Sequence, residues 1–186
     1  MYSDDWVDFR KQVYGGVLGL AAGDALGVPV EFMSRQEIGR DPVSSMRGYG
    51  THGQPAGTWS DDTSLTLALM DSIVEKGGID YTDIMDRFTG WLMYGDYTAA
   101  GEVFDVGNAT SRAIMNFGRG IDPLECGGIS EYENGNGSLM RILPLAYYFR
   151  KRPDDTIGFR METVHNVSAL THRHPVSLIG CGIYIN

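Results

Sequence analysis

Apolar residues recur at helical spacing through most of the chain, and glycine-rich or polar stretches separate them. Ile84, Phe88, Trp91 and Leu92 fall at positions i, i+4, i+7 and i+8, which is typical of one face of an amphipathic helix. Similar spacing predicts further helices at about 5–25, 63–76, 109–117, 145–149, 157–170 and 175–185. Period-two alternation is not convincing anywhere, so the pattern predicts an all-α fold.

Start and stop signals bound several of these helices. Asp80, Asn108 and the segment 154–156 are predicted N-caps, because short polar side chains accept hydrogen bonds from the first free N–H groups. Pro175 suits the first position of the last helix. The segment 34–56 has little periodicity and is predicted to be mostly loop.

Glycine recurs every fourth residue in the first predicted helix, at Gly15, Gly19, Gly23 and Gly27. Glycine destabilises a helix relative to alanine, so a ridge of glycines needs a compensating reason. We expect close approach by another backbone along this ridge.

Length and composition indicate one globular domain. The 186 residues are 42% hydrophobic and 21% charged, and we treat residues 1–186 as a single unit. The net charge of −9 argues against nucleic-acid binding, which requires Lys and Arg to neutralise phosphates. Cys126 and Cys181 form no metal pattern and are predicted to be reduced thiols. The N-terminus has no signal-like pattern, and we expect no apolar run of membrane-spanning length. We therefore expect a cytoplasmic protein that does not bind membranes.

Ser60, Asp61 and Asp62 lie where a glycine-containing loop meets the apolar segment from Leu65 onward. Two interpretations remain open from these residues alone. Ser and Asp are favourable at a helix start, where they cap free N–H groups and suit the positive end of the dipole. A hydroxyl and two carboxylates are also ligands that Mg²⁺ prefers. Capping needs only one such residue.

A second glycine-rich stretch, 133–141, precedes the segment 145–149 and lacks the G-K-[ST] ending of a P-loop. Glycine-rich loops that lead into a helix expose backbone N–H groups and bind anions. Glu31, Asp105 and the histidines have ordinary structural interpretations when each is considered alone. The histidines do not have a common zinc-ligand spacing.

Taken together in order, the segments Gly23–Phe32, Gly57–Thr63, Phe104–Asn108 with Gly135–Arg141, and Thr171–Pro175 resemble the ADP-ribosylglycohydrolase family. The resemblance covers the chain from about Tyr14 onward. It implies a compact orthogonal all-α domain and a dinuclear Mg²⁺ or Mn²⁺ centre. It also implies hydrolysis of the bond between ADP-ribose and an acceptor, often an arginine side chain of a protein.

The resemblance also implies roles for individual residues. Ser60, Asp61 and Asp62 match the metal-binding hydroxyl and carboxylates, and Glu31 matches an acid near the metals. The remaining matches are to catalytic or substrate-binding positions: Asp105 and Asn108 near the scissile bond, Gly135, Asn136, Gly137, Ser138, Leu139 and Met140 at the phosphates, and His172 at the ligand. Asp61, Asp62 and Glu31 are all candidates for the general base.

The chain departs from the family pattern at its C-terminal end. The family continues into a second acidic motif that completes the metal site, whereas residues 175–186 contain no Asp or Glu. We therefore expect an incomplete domain, with an exposed apolar last helix through which the chain self-associates. Three functions stay open: a glycohydrolase, an inactive ADP-ribose-binding fragment, and a metal phosphohydrolase that shares the acidic site and phosphate loop.

Overall fold

A computed structural model describes residues 4–186, except for the side chain of Asp4. The described part of the chain is all-α, as predicted. Its helices are α1 (Asp4–Gly27), α2 (Arg35–Arg40), α3 (Asp61–Lys76), α4 (Tyr81–Tyr94), α5 (Asn108–Gly118), α6 (Pro144–Arg150), α7 (Ile157–Ala169) and α8 (Pro175–Ile185). Short 3₁₀ turns lie at Val28–Val30 and Pro123–Glu125. The start of the N-terminal segment, which was predicted to lack a signal sequence, is outside the described residues.

The core forms where the apolar faces of α3 to α8 meet. Its largest fully buried apolar side chains include Leu65, Leu69, Ile84, Phe88, Trp91, Leu145, Val164 and Val167. Burying a side chain of this size stabilises the fold by about 1.5–3 kcal/mol. Because α3 packs against α1, α4 and α6, it is the central element, and its N-terminus is held firmly in place.

Several predicted helix ends are confirmed by the structure. Asp80 accepts a hydrogen bond from the N–H of Asp83, and Thr156 accepts one from the N–H of Phe159. Pro175 lies in the first turn of α8, as expected.

One predicted cap was wrong. Asn108 is the first residue of α5 and makes no capping bond, since Gly107 occupies the cap position. The segment 34–56 is mostly loop, as predicted, but it also contains α2, which Ser34 and Glu37 stabilise through a reciprocal capping box. The glycine-rich segment 133–141 forms turns and leads into a helix, as expected, and that helix begins at Pro144.

The glycine ridge of α1 also differs from expectation. A Cβ added at Gly15, Gly19, Gly23 or Gly27 would meet no atom within 4 Å of the described residues. The close contact is instead at Gly16, where an added Cβ would overlap the hydroxyl of Tyr147. The ridge therefore faces open space and not another backbone.

Two surfaces of the fold are apolar and exposed. On α8, Val176, Ile179 and Ile183 have exposed fractions of 58%, 56% and 76%, which confirms the expected apolar surface. The segment Asp5–Val30 is long and apolar enough to cross a membrane by length and composition, so the expectation that no run has this length was wrong. Core helices of soluble proteins meet the same criterion, so length and composition alone do not make this segment a membrane span.

Candidate active site

The start of α3 is capped by a carboxylate from another helix. Asp24, in the last turn of α1, accepts hydrogen bonds from the N–H groups of Ser60 and Thr63, each at 3.0 Å. The hydroxyls of the same two residues donate to it at 2.7 and 2.6 Å. Ser60 makes no capping bond of its own. Asp24 therefore does the capping predicted for Ser60, and it turns the Ser60 hydroxyl towards the acidic residues.

Asp61 and Asp62 follow at the first turn of α3, in a strongly negative environment. Asp61 is buried, and its carboxylate has no hydrogen-bond partner among the described residues. Desolvation, followed by the charges of Asp62 and other nearby acids, raises the pKa of Asp61 to about 8. The pKa of Asp62 is also raised, mainly by burial and then by the charge of Asp24. These carboxylates are destabilised as anions unless a positive charge joins them.

Glu31, His52 and Asp105 form a second group beside this pair. The distance from Glu31 Oε2 to His52 Nε2 is 2.7 Å, and that from His52 Nε2 to Asp105 Oδ1 is 4.0 Å. Burial raises the pKa of Glu31, the bond to His52 opposes the shift, and the nearby carboxyl of Asp105 adds to it. Each of the three residues offers one ligand atom within 4.8 Å of the others, so this group has the spacing of a candidate cation site.

Two features hold this second group in place. The ring of His52 lies between Phe32 and Phe104, with centroid distances of 5.9 and 5.4 Å. Asp105 has a φ of 52°, in the left-handed region that is uncommon for a residue with a side chain. Such a backbone costs about 1–3 kcal/mol and occurs preferentially at functional sites.

The glycine-rich loop 135–140 lies against His172. A Cβ on Gly137 would be 2.6 Å from His172 Cε1, and one on Gly135 would be 3.6 Å from Nε2. The N–H groups of residues 135–139 donate to no acceptor among the described residues, whereas that of Met140 donates to Asn136 O. The loop thus offers unpaired N–H groups beside a buried imidazole. They do not lie at the start of α6, so the loop is not the predicted helix N-terminal anion site.

Most of the predicted site residues converge on two adjoining cavities. One, of about 420 Å³, is lined by Glu31, Asp61, Asp62, Asp105, Asn108, Gly135, Asn136, Gly137, Met140 and His172, with five further residues. The other, of about 390 Å³, shares Glu31, Asp62 and Asp105 with it and adds Asp24 and Ser60. An acidic end and a glycine-rich end therefore belong to one continuous depression.

Two predicted residues lie elsewhere, and two unpredicted residues enter the site. Ser138 is fully buried against Ser168, and neither it nor Leu139 lines the cavity. Asp24 and His52 were missed. The signal for Asp24 was a carboxylate in the last turn of a helix, where the dipole disfavours it. For His52 no local signal existed, because its partners are 21 and 53 residues away in sequence.

A larger groove of about 760 Å³ lies between α1, the end of α3 and α6. Its walls include Phe9, Val74 and Tyr148, and the acidic cluster is not part of it. The chemistry-bearing residues thus favour the smaller cavities as the active site.

Comparisons with known proteins find relatives of this chain. The ADP-ribosylglycohydrolase family profile matches residues 5–186. An ADP-ribosylarginine hydrolase, Tri1, of Pseudomonas putida is 39% identical over 137 residues, which are 73% of this chain and 36% of the relative. The ADP-ribosyl-[dinitrogen reductase] glycohydrolase of Rhodospirillum rubrum is 35% identical over 177 residues, 92% of this chain and 55% of the relative.

A solved structure described as an ADP-ribosylglycohydrolase-related protein complex superposes with a TM-score of 0.72 at 33% identity. The match covers 92% of this chain and 52% of that one. The chain therefore spans between about a third and about half of the proteins it matches.

Proposed function

The chain belongs to the ADP-ribosylglycohydrolase family, and on that premise we propose that it removes ADP-ribose from a modified protein side chain, with arginine as the acceptor. The observation that carries the proposal is the cavity in which Asp61 and Asp62 share walls with Gly137 and His172. The acidic end suits the ribose and the scissile bond, and the glycine-rich end suits the diphosphate.

The acidic end fits a hard divalent cation such as Mg²⁺ or Mn²⁺. Carboxylates and a hydroxyl are the preferred ligands of such ions, and Asp61 and Asp62 both line the cavity. We assign Ser60, Asp61 and Asp62 as ligands, with Glu31 and Asp105 within reach of the same cavity. A bound cation would lower the pKa of a water molecule and stabilise negative charge on oxygen.

The remaining steps of the hydrolysis require a general base and a proton for the leaving nitrogen. We assign Glu31 as the general base, because Asp61 and Asp62 are assigned as cation ligands and Glu31 is partly exposed at the same cavity. It removes a proton from water as the water oxygen attacks the anomeric carbon, and the bond to the guanidinium nitrogen breaks. The leaving nitrogen takes up a proton, giving free ADP-ribose and unmodified arginine. The transition state is expected to resemble an oxocarbenium ion, as in glycoside cleavage generally.

At the other end of the cavity, the loop residues Gly135 to Gly137 bind the diphosphate. Their unpaired N–H groups are donors that water would otherwise satisfy. This binding fixes the ribose relative to Glu31. Fixing the ribose in this way lowers the activation free energy, because the translational and rotational freedom is already lost on binding and not at the transition state.

The proposal is tested by measuring release of free ADP-ribose from ADP-ribosylated arginine in the presence of Mg²⁺ or Mn²⁺. We expect turnover by the wild-type chain. In Asp61→Asn with Asp62→Asn the rate should fall at least about 100-fold, since both carboxylate ligands of the cation are lost. Glu75→Gln with Asp86→Asn is the matched control. Both residues are exposed, and the two substitutions remove the same total charge as the Asp61 and Asp62 pair.

The products separate the other functions. Release of inorganic phosphate without ADP-ribose would support a metal phosphohydrolase instead. ADP-ribose binding without turnover would support a binding fragment. Unchanged turnover in the double aspartate variant would show that the acidic end is not the catalytic centre.

A further inference from the structure

Arg141 is an unusually isolated buried charge beside the candidate site. It is completely buried, and no carboxylate of the described residues pairs with it. Its guanidinium lies 4.7 Å from the centre of the Phe88 ring, and Nε and Nη1 have no hydrogen-bond partner in the part of the chain that the structure describes. Burial lowers the pKa of Arg141 to about 10, so it remains charged at neutral pH. An apolar side chain would fill this space at lower cost in stability, which indicates a role for the charge or its hydrogen bonds.

The hydrogen bonds of Arg141 lead to His172 through one hydroxyl. Nη2 donates to the carbonyl of Val167 at 3.2 Å and to Thr171 Oγ1 at 2.8 Å. Thr171 Oγ1 lies 2.9 Å from His172 Nδ1. Arginine has donors only, so the Thr171 oxygen must accept from it and keeps its own proton to donate.

The destination of that proton determines the tautomer of His172. Thr171 is fully buried, and within the described residues its hydroxyl has no acceptor other than His172 Nδ1. If Nδ1 carried a proton, the Thr171 proton would be buried without a partner, which costs about 1–3 kcal/mol. Nδ1 is therefore the acceptor. The single proton of the neutral ring is on Nε2.

The Nε2 side of the ring faces the glycine-rich end of the cavity. Gly137 lies against Cε1 and Nε2, and Gly135 lies near Nε2. The backbone of His172 is held by Ser168, which accepts from its N–H at 2.8 Å and donates to its carbonyl at 3.1 Å. The ring cannot turn away without breaking the bond to Thr171.

The charges around His172 favour the neutral ring. Burial lowers its pKa to about 4, the charge of Arg141 adds to this shift, and that of Glu133 opposes it. At neutral pH the ring consequently offers one N–H donor and no net charge.

We propose that Arg141 and Thr171 are positioning residues that hold neutral His172 in the Nε2–H tautomer, as a fixed hydrogen-bond donor to an oxygen of ADP-ribose. The identity of the ligand rests on the proposed function, whereas the tautomer does not. A fixed donor loses no orientational freedom when the ligand binds, so its hydrogen bond increases the affinity for the ligand more than that of a mobile donor.

The tautomer is tested first, in the 186-residue chain without ligand. Protonated and unprotonated ring nitrogens differ in ¹⁵N chemical shift, so ¹⁵N-labelled His172 reports its state directly. We expect Nε2–H and unprotonated Nδ1 from pH 5.5 to pH 8 in the wild type. Thr171→Val should give a mixture of tautomers, and Thr171→Ser should restore the wild-type state.

Affinity is tested second, by calorimetric titration of ADP-ribose at pH 7. We expect Thr171→Val to weaken binding about tenfold, the worth of one well-placed hydrogen bond, and Thr171→Ser to stay within about twofold of wild type. Thr163→Val is the matched control, since that buried hydroxyl donates to the carbonyl of Phe159 and lies outside the Arg141–Thr171–His172 contacts. It should leave both the tautomer and the affinity unchanged.

Three results would overturn the proposal: an Nδ1–H ring in the wild type, an imidazolium at pH 7, or an unchanged tautomer in Thr171→Val. If Thr171→Val does not fold, the wild-type and Thr171→Ser spectra still decide. An Nε2–H ring without any ADP-ribose binding would contradict the proposed function. It would still support the assigned hydrogen bonds from Arg141 to Thr171 and from Thr171 to His172.

Discussion

Asp24 of α1 accepts a hydrogen bond from the N–H of Thr63 at 3.0 Å, so one helix supplies the N-terminal cap of another. The carboxylate lies near the negative end of the α1 dipole, which is unfavourable, and near the positive end of the α3 dipole, which is favourable. The Ser60–Asp62 segment thus receives its position from a residue 36 or more positions earlier in the chain.

Replacing Asp24 should damage both stability and the site. We expect Asp24→Asn to lower the free energy of unfolding by about 2 kcal/mol, because it removes a charged acceptor from two N–H groups and two hydroxyls. Asp8→Asn, an exposed position on the same helix, should change it by less than about 0.5 kcal/mol. Urea unfolding followed by circular dichroism measures both. Equal stability of the two variants would mean that the cap is not important.

The pH dependence of stability should reveal the buried carboxylate of Asp61. Its pKa is raised from 3.8 to about 8 in the folded chain, so the native state binds more protons than the unfolded state between these values. The contribution of protonated Asp61 to the free energy of unfolding is fully present below pH 4 and is lost as the pH rises to about 8. Without divalent cation, we expect Asp61→Asn to exceed the wild type in stability by about 2 kcal/mol at pH 8.

A cation should reverse this order. Adding Mg²⁺ should stabilise the wild type at pH 8 more than at pH 5, because a ligand carboxylate must be deprotonated. Asp61→Asn should gain less at either pH. Thermal unfolding with and without Mg²⁺ measures the gain, and a gain independent of pH would argue against Asp61 as a ligand.

The pair Glu31 and His52 should affect turnover more than binding. Glu31→Gln keeps the shape and can still bond His52, but it cannot accept a proton from water. We expect a fall of about 100-fold or more in kcat, with KM within a few-fold. Glu37→Gln, on the neighbouring α2, controls for the loss of one carboxylate. A change confined to KM would place Glu31 in binding and not in proton transfer.

Gly137 should tolerate no side chain. A Cβ there would be 2.6 Å from His172 Cε1, so Gly137→Ala must displace the imidazole or the loop. We expect ADP-ribose affinity to fall at least about tenfold, since the displaced groups are the donors proposed for the ligand. Gly118→Ala, with open space around its Cβ, should bind normally. Calorimetry compares the two variants, and equal affinities would exclude this loop from binding.

The sequence predicted the main helices because their apolar spacing is local information. It also identified the acidic and glycine-rich segments, although their roles came from the order of several motifs and not from any one of them. Ser60 shows the limit: a polar residue at a helix start looks like a cap, and only the fold shows that Asp24 does the capping.

Long-range partners account for what sequence reasoning missed. His52 had no identifiable partner, yet it bonds Glu31 and lies near Asp105 after folding. Arg141 appeared only as the last residue of a glycine-rich motif, and its contact with Thr171 spans 30 positions. Such contacts are set by how helices pack, which periodicity does not encode.

The central claim is that the acidic and glycine-rich ends bind one ADP-ribose molecule together. Backbone amide NMR of the ¹⁵N-labelled chain, titrated with ADP-ribose in the presence of Mg²⁺, tests it most directly. The amide signals of Asp61 and Asp62 and those of Gly135 to Gly137 should shift with the same dissociation constant. Shifts at only one end, or shifts confined to the groove around Phe9 and Tyr148, would contradict the claim.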